Sequence, residues 1–172
     1  MQLWKPPLIA LAGALFFYQS SQAFASSNVN SRLEGLLDTV VTWLSANFDL
    51  PADYDHPEIR LKSAEYVSDV RYRSMKRAMR REVVAVYNDE TETIFLTDSW
   101  LGRSPADISI LIHEMVHHLQ NKAELTYGCP QAREEVAYAA QDRWLGLFGK
   151  NLHQEFEIDP LVLMMTTKCL IP

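Results

Sequence analysis

The sequence predicts a mixed α+β fold, mostly helical, with a small antiparallel or mixed sheet placed just before its most informative helix. Three observations predict it. Strand-like segments cluster between residues 58 and 97. The flanking segments carry apolar residues at three- and four-residue spacing, the mark of amphipathic helices. One of these helices, near residues 105–122, is capped by its own sequence and holds three of the chain's five histidines.

Taken in order, Met1 to Ala25 reads as a secretory signal peptide. Lys5 supplies the positive start, Leu8 to Phe17 is a short apolar core, and Ala23-Phe24-Ala25 offers a small-x-small cleavage site. The apolar run is too short to span a bilayer. An uncleaved amino-terminal anchor is the rival reading. Residues 26–172 then form the mature chain, about 147 residues, the size of one domain. No other segment is apolar enough to span a membrane, so no integral membrane segment is expected there. Removing the leader takes away Lys5 and no acid, which moves the net charge from −6 to −7. That acidity argues against nucleic acid as a partner. The protein is expected to be exported, periplasmic or extracellular, and to act as a monomer.

Asn28 to Phe48 reads as a helix with the stripe Leu33, Leu36, Leu37, Val40, Val41, Leu44 and Phe48. Pro51 and Pro57 make residues 50–57 a loop, and His56 within it is expected to be exposed. Glu58-Ile59-Arg60-Leu61-Lys62 alternates as a half-buried strand does. Ser63-Ala64-Glu65 opens a short helix to about Met75. Arg71 to Arg81 holds six of the sixteen basic residues: Arg71, Arg73, Lys76, Arg77, Arg80 and Arg81. A patch for an anionic surface is one reading, and a solvated face is the plainer one. Glu82 to Tyr87 and Glu92 to Thr97 read as two strands joined by the turn Asn88-Asp89-Glu90-Thr91, a hairpin.

The next helix runs from Pro105 to about Lys122. Ser104 suits its cap, Pro105 its first position, and Asp107 the acid of a capping box. Tyr127-Gly128-Cys129-Pro130 marks a turn. A second long helix follows from Pro130 to near Gly149, its aromatic residues expected in the core. Asp159-Pro160 caps a last helix to about Thr167, in which Met164 and Met165 are read as packing residues in preference to metal ligands. Cys129 and Cys169 form an even pair, and in an exported protein such a pair suggests a disulfide. Zinc ligation by these cysteines is the weaker alternative, since they lie 40 residues apart.

The chemistry concentrates in His113-Glu114-Met115-Val116-His117. Positions i and i+4 share a helix face one turn apart, so His113 and His117 can share one metal ion. Zinc prefers neutral imidazole nitrogen, and a catalytic site takes three protein ligands and a water. Glu114 flanks that ion, where a carboxylate can take a proton from water and hand it to a leaving amine. His117 lies five residues before its helix ends, and Glu134 four residues after the next begins. Both then stand roughly 6–8 Å above the connecting loop. Antiparallel packing brings Glu134 level with the histidines. Glu135 is the rival third ligand, because neighbouring positions differ by 100°. Glu134 is favoured because Tyr138, its i+4 neighbour, would share its face.

Over about Pro105 to Trp144 the chain resembles the gluzincin class of zinc metallopeptidases. These carry His-Glu-x-x-His on one helix and a glutamate on the next, often within Glu-x-x-Ala-Asp. Here Glu134-Glu135-Val136-Ala137-Tyr138 matches at Glu134 and Ala137, while Tyr138 replaces the aspartate that orients a ligand histidine in that class. The resemblance implies a zincin-like fold and one Zn2+ per chain, held by His113, His117 and Glu134. It also implies Glu114 as general base and a peptide or protein substrate laid along the sheet's edge strand. The oxyanion donor is open between Tyr138, Tyr127 and His118. A non-catalytic zinc-bound protein on the same scaffold is the alternative function, and a metal-free domain with a chance motif a third.

Overall fold

The computed structural model describes the backbone of residues 13–73 and 83–169, and side chains within these from residue 31 onward. The chain divides into two compact units, residues 1–39 and 40–172. Helix α1 (Gly13–Phe48) supplies the described part of the first and opens the second. It starts fifteen residues before the expected Asn28, since no proline interrupts residues 13–27. Most of the expected leader's charged and cleavage features fall where side chains are not described. Of the basic run, residues 74–82, with Lys76, Arg77, Arg80 and Arg81, lie outside the described residues, as does Met75.

The second unit is mixed α+β, mostly helical, with one three-stranded mixed sheet. Its elements after α1 are β1 (Glu58–Lys62), α2 (Ala64–Arg71), β2 (Ala85–Asn88), β3 (Thr93–Thr97) and α3 (Pro105–Lys122). Then come α4 (Pro130–Gly146), α5 (Leu152–Phe156) and α6 (Pro160–Thr167). Strand β3 is central. It pairs parallel with β1, Ile59 opposite Ile94, and antiparallel with β2, Val86 opposite Phe95. The expected hairpin is therefore present, and β2 is an edge strand. The period-two rule places Val86 and Phe95 on one face, where they pack on Val67 of α2. Tyr87 takes the opposite face, against α3, its ring edge-on to His118 at 5.5 Å. Strand β1 is less covered than its alternation implies, with Leu61 52% exposed.

Helix α3 starts as its sequence dictates. Ser104 Oγ accepts from Asp107 N–H at 2.9 Å, and Asp107 Oδ2 accepts from Ser104 N–H at 3.4 Å, a complete capping box. Leu111, Ile112, Met115 and Val116 are fully buried along it. Helix α4 packs antiparallel on α3: Trp144 Nε1 donates to Pro105 O at one end and Gln120 Nε2 to Arg133 O at the other. Trp144 also meets Trp43 of α1 edge-on at 5.5 Å. The helix stops at Gly146, three residues short of the expected end; Phe148, one of the aromatic residues expected in the core, is 50% exposed, and Leu147 is 62% exposed. Helix α6 begins on the expected Asp159 cap, but Met164 and Met165 are half exposed and pack little.

A disulfide joins Cys129 to Cys169, so the bridge leaves neither thiol to a metal. Cys129 is the residue that begins α4, and its side chain makes no capping hydrogen bond. The bridge therefore anchors the end of the α6 segment to the start of α4. Closing a loop with a sequence separation of 40 stabilises by about 4 kcal/mol in the chain-entropy model. Cys169→Ser is expected to lower Tm by roughly 8–16 °C in oxidising buffer. An equal loss in reductant would show that the serine, not the missing bridge, is responsible.

Candidate metal centre

Three side-chain atoms converge where α3 crosses α4. His113 Nε2 lies 3.2 Å from His117 Nε2 and 3.2 Å from Glu134 Oε2, and His117 Nε2 lies 3.3 Å from the same oxygen. These three residues could hold a metal ion. A tetrahedron with ligand distances of about 2.0–2.1 Å has edges of about 3.3–3.4 Å. The three atoms thus already form one face of a zinc-sized tetrahedron. All three side chains are mostly shielded from solvent, at 12%, 10% and 17% exposure.

Each imidazole is aimed by a glutamine on its far side. His113 Nδ1 lies 3.1 Å from Gln141 Oε1, and His117 Nδ1 lies 3.0 Å from Gln120 Oε1. The Gln120 amide is oriented in turn, because its Nε2 donates to Arg133 O at 3.1 Å. An amide oxygen facing Nδ1 favours the tautomer with the proton there. Both Nε2 lone pairs then turn toward the triad, the arrangement a metal-binding histidine needs. Arg133 completes the brace. It donates to Gln120 Oε1 and to His117 O, and it grips both oxygens of Asp89 in the β2–β3 turn.

Glu134 presents one oxygen to the histidines. Its other oxygen, Oε1, accepts from Arg71 Nη2 at 3.2 Å, at the end of α2. Burial alone would raise this carboxyl, but when the Nε2 atoms of His113 and His117 carry protons, which a metal ion would replace, their hydrogen bonds outweigh burial and hold it far below the ordinary carboxylate range. Glu135, one position on, points elsewhere and pairs with Lys168. The 100° step along α4 separates the two glutamates as expected.

Glu114 is buried, and Tyr87 N–H donates to its Oε2 at 2.7 Å. That N–H belongs to edge strand β2, where a residue facing away from β3 has its main-chain donor free for another partner. Burial pushes the Glu114 carboxyl above its ordinary value, against the opposing influence of His113. A carboxylate of raised basicity beside a triad that could hold a metal ion is suited to accepting a proton.

Of the three candidate oxyanion donors, the structure separates one. Tyr138 lies on the triad, its ring edge-on to His113 at 4.6 Å. His118 is 1% exposed and faces away: its Nε2 donates to Asp55 O at 2.8 Å, and its Nδ1 lies 3.2 Å from the Tyr87 hydroxyl. Burial keeps its pKa below the ordinary histidine value. It is a core residue tying α3 to the 50–57 loop. Tyr127 sits beside Gln120 and Arg133, behind His117.

Gln120, Gln141 and Arg133 were not singled out from sequence, and Arg71 was read only as the start of the basic run. The glutamines had a signal: Gln120 is seven positions from His113, and Gln141 seven from Glu134, two turns along the same faces. Tyr138, which stands where the resembled class has its orienting aspartate, stacks on His113, and Gln141 makes the orienting hydrogen bond. The two arginines had no local signal.

Among the described residues no helix is long and apolar enough to cross a membrane. No curated protein and no solved structure matches the chain. Residues 29–171 match one family, and by that match the chain belongs to the family described as Domain of unknown function (DUF6647).

Proposed function

We propose that this protein is an exported, zinc-dependent peptidase of zincin-like fold, built around His113, His117 and Glu134 with Glu114 as general base. One observation carries the reading. Three ligand atoms 3.2–3.3 Å apart stand beside a buried carboxylate on the same helix as two of them. The donor set fits zinc, because two neutral imidazoles and one carboxylate with an open fourth position form a known catalytic arrangement.

A bound zinc ion would supply Lewis acidity and lower the pKa of a water. The chain's own groups do the rest. Gln120 and Gln141 hold the imidazoles in the tautomer that turns Nε2 inward. Tyr87 N–H fixes Glu114 Oε2, so the carboxylate keeps one orientation while it takes a proton from the attacking water. The same carboxyl then gives that proton to the departing amine. Tyr138, whose ring meets His113 edge-on at 4.6 Å, is the candidate donor to the developing oxyanion. The disulfide supports the exported compartment, since such bonds persist where conditions oxidise.

Protein purified without added metal is expected to carry one zinc per chain and to hydrolyse a peptide library. Chelation should abolish that activity and zinc should restore it. No zinc, even after an equimolar addition, would end the reading. Gln141→Ala should weaken zinc binding about 10–100-fold in chelator competition, because the ligand histidine loses its orienting acceptor. An unchanged affinity would mean the hydrogen bond to His113 is incidental.

A further inference from the structure

Arg71 is the one feature at this centre that the proposed chemistry leaves unused. It stands at the end of α2, 63 positions from Glu134, and reaches the outer oxygen of that ligand. Its side chain is 50% exposed. Among the described residues its guanidinium makes this single hydrogen bond, so most of its five N–H donors are uncommitted. It stands beside the triad, next to the outer oxygen of Glu134. It also opens the run holding six of the chain's sixteen basic residues, in a protein of net charge −6.

The charges decide what such a group is for. Glu114 and Glu134 contribute two negative charges, zinc would contribute two positive ones, and Arg71 adds one more. The loaded centre would be net positive, which favours a substrate carrying one negative charge close to the reacting carbonyl. Reach sets how close. One residue of extended chain spans about 3.3–3.6 Å, and a charge-assisted hydrogen bond adds about 2.8 Å. Arg71, one carboxylate's width from the triad, matches an anion one residue from the scissile bond. Arginine's planar fork suits a carboxylate there.

We propose that Arg71 binds a substrate carboxylate carried by a residue next to the scissile bond, and so selects acidic peptide ends or acidic side chains. This rests on the zinc peptidase reading. The carboxylate can come from a free C-terminus or from Asp or Glu, and the experiment distinguishes them.

Zinc is added to saturation and its occupancy measured for wild type, Arg71→Gln and Arg71→Lys. Each protein then cuts a random peptide library prepared as free acids and as C-terminal amides, with cut sites read by mass spectrometry. In parallel, calorimetry measures N-acetyl-dialanine and its amide binding to zinc-loaded Glu114→Gln, with and without Arg71→Gln. Wild type is expected to favour the carboxylate form about tenfold in both assays. Arg71→Gln should lose that preference, and Arg71→Lys should keep part of it. Preference for free acids places the carboxylate at the C-terminus, and enrichment of Asp or Glu on either side of the cut places it on a side chain. Zinc occupancy with cutting but no preference, or a preference that survives Arg71→Gln, overturns the proposal alone. Zinc occupancy with no cutting and no binding overturns the peptidase reading and the proposal together.

Discussion

Glu114→Gln is expected to keep its zinc and lose peptide hydrolysis by about 10²–10⁴-fold, the usual worth of a general base. The substitution isolates the proton transfer. Glutamine has the same shape and retains an oxygen to accept from Tyr87 N–H, the bond that Glu114 Oε2 makes at 2.7 Å. It ligates nothing in the triad, so metal content should match wild type. It also carries no charge to desolvate in a buried position, so Tm should hold or rise. The loss should fall on kcat with KM little changed, because the carboxylate's proton transfer counts only in the transition state. Full activity in this variant would remove Glu114 from the mechanism. Loss of zinc alongside activity would assign it a structural part in the centre instead.

Glu134→Ala is expected to weaken zinc binding by more than about 100-fold, while Glu135→Ala leaves it unchanged. Removing a ligand must cost more than removing a residue that only orients one, and the latter costs about 10–100-fold. The comparison is sharp because the two glutamates are adjacent in sequence and opposite in role. Glu134 Oε2 lies 3.2 and 3.3 Å from the two imidazole nitrogens, whereas Glu135 reaches Lys168. That pair is half exposed on both sides, so its loss should cost at most about 1 kcal/mol of stability. Equal zinc affinity in both variants would show that the histidines alone hold the ion. A larger loss with Glu135→Ala would mean that α4 turns through a further 100° when metal binds.

How far the sequence alone carries differs from element to element. Helix α3 was legible to the residue, because its signals are local: a serine cap, a proline at the first position, an acid three residues after the cap, and an apolar stripe at helical spacing. The hairpin was legible for the same reason, since alternation and a polar turn lie within sixteen residues. The end of α4 was misjudged, because Trp144, Leu147 and Phe148 look like a continuing stripe. Only Trp144 among them finds a partner in α1, and the other two are left largely exposed. The misplacement of Met164 and Met165 has the same origin: apolar character marks what can be buried, not whether a neighbour arrives to bury it.

The candidate centre divides along the same line. His113, Glu114 and His117 are set by the sequence itself, because a helix puts i and i+4 on one face whatever surrounds it. Glu134 could be placed level with them from helix rise and loop length. Tertiary structure alone decided the rest. The rotation of α4 against α3 turned Glu134 inward and Glu135 out. The same packing brought Gln141 to His113, and Arg133 to both Gln120 and the hairpin turn. The edge position of β2 supplied a free N–H to Glu114, and the end of α2 delivered Arg71 from 63 positions away. The physical reason is range. Backbone geometry couples residues over one or two turns, whereas contacts across tens of residues follow from which apolar faces bury one another, and that balance belongs to the whole fold.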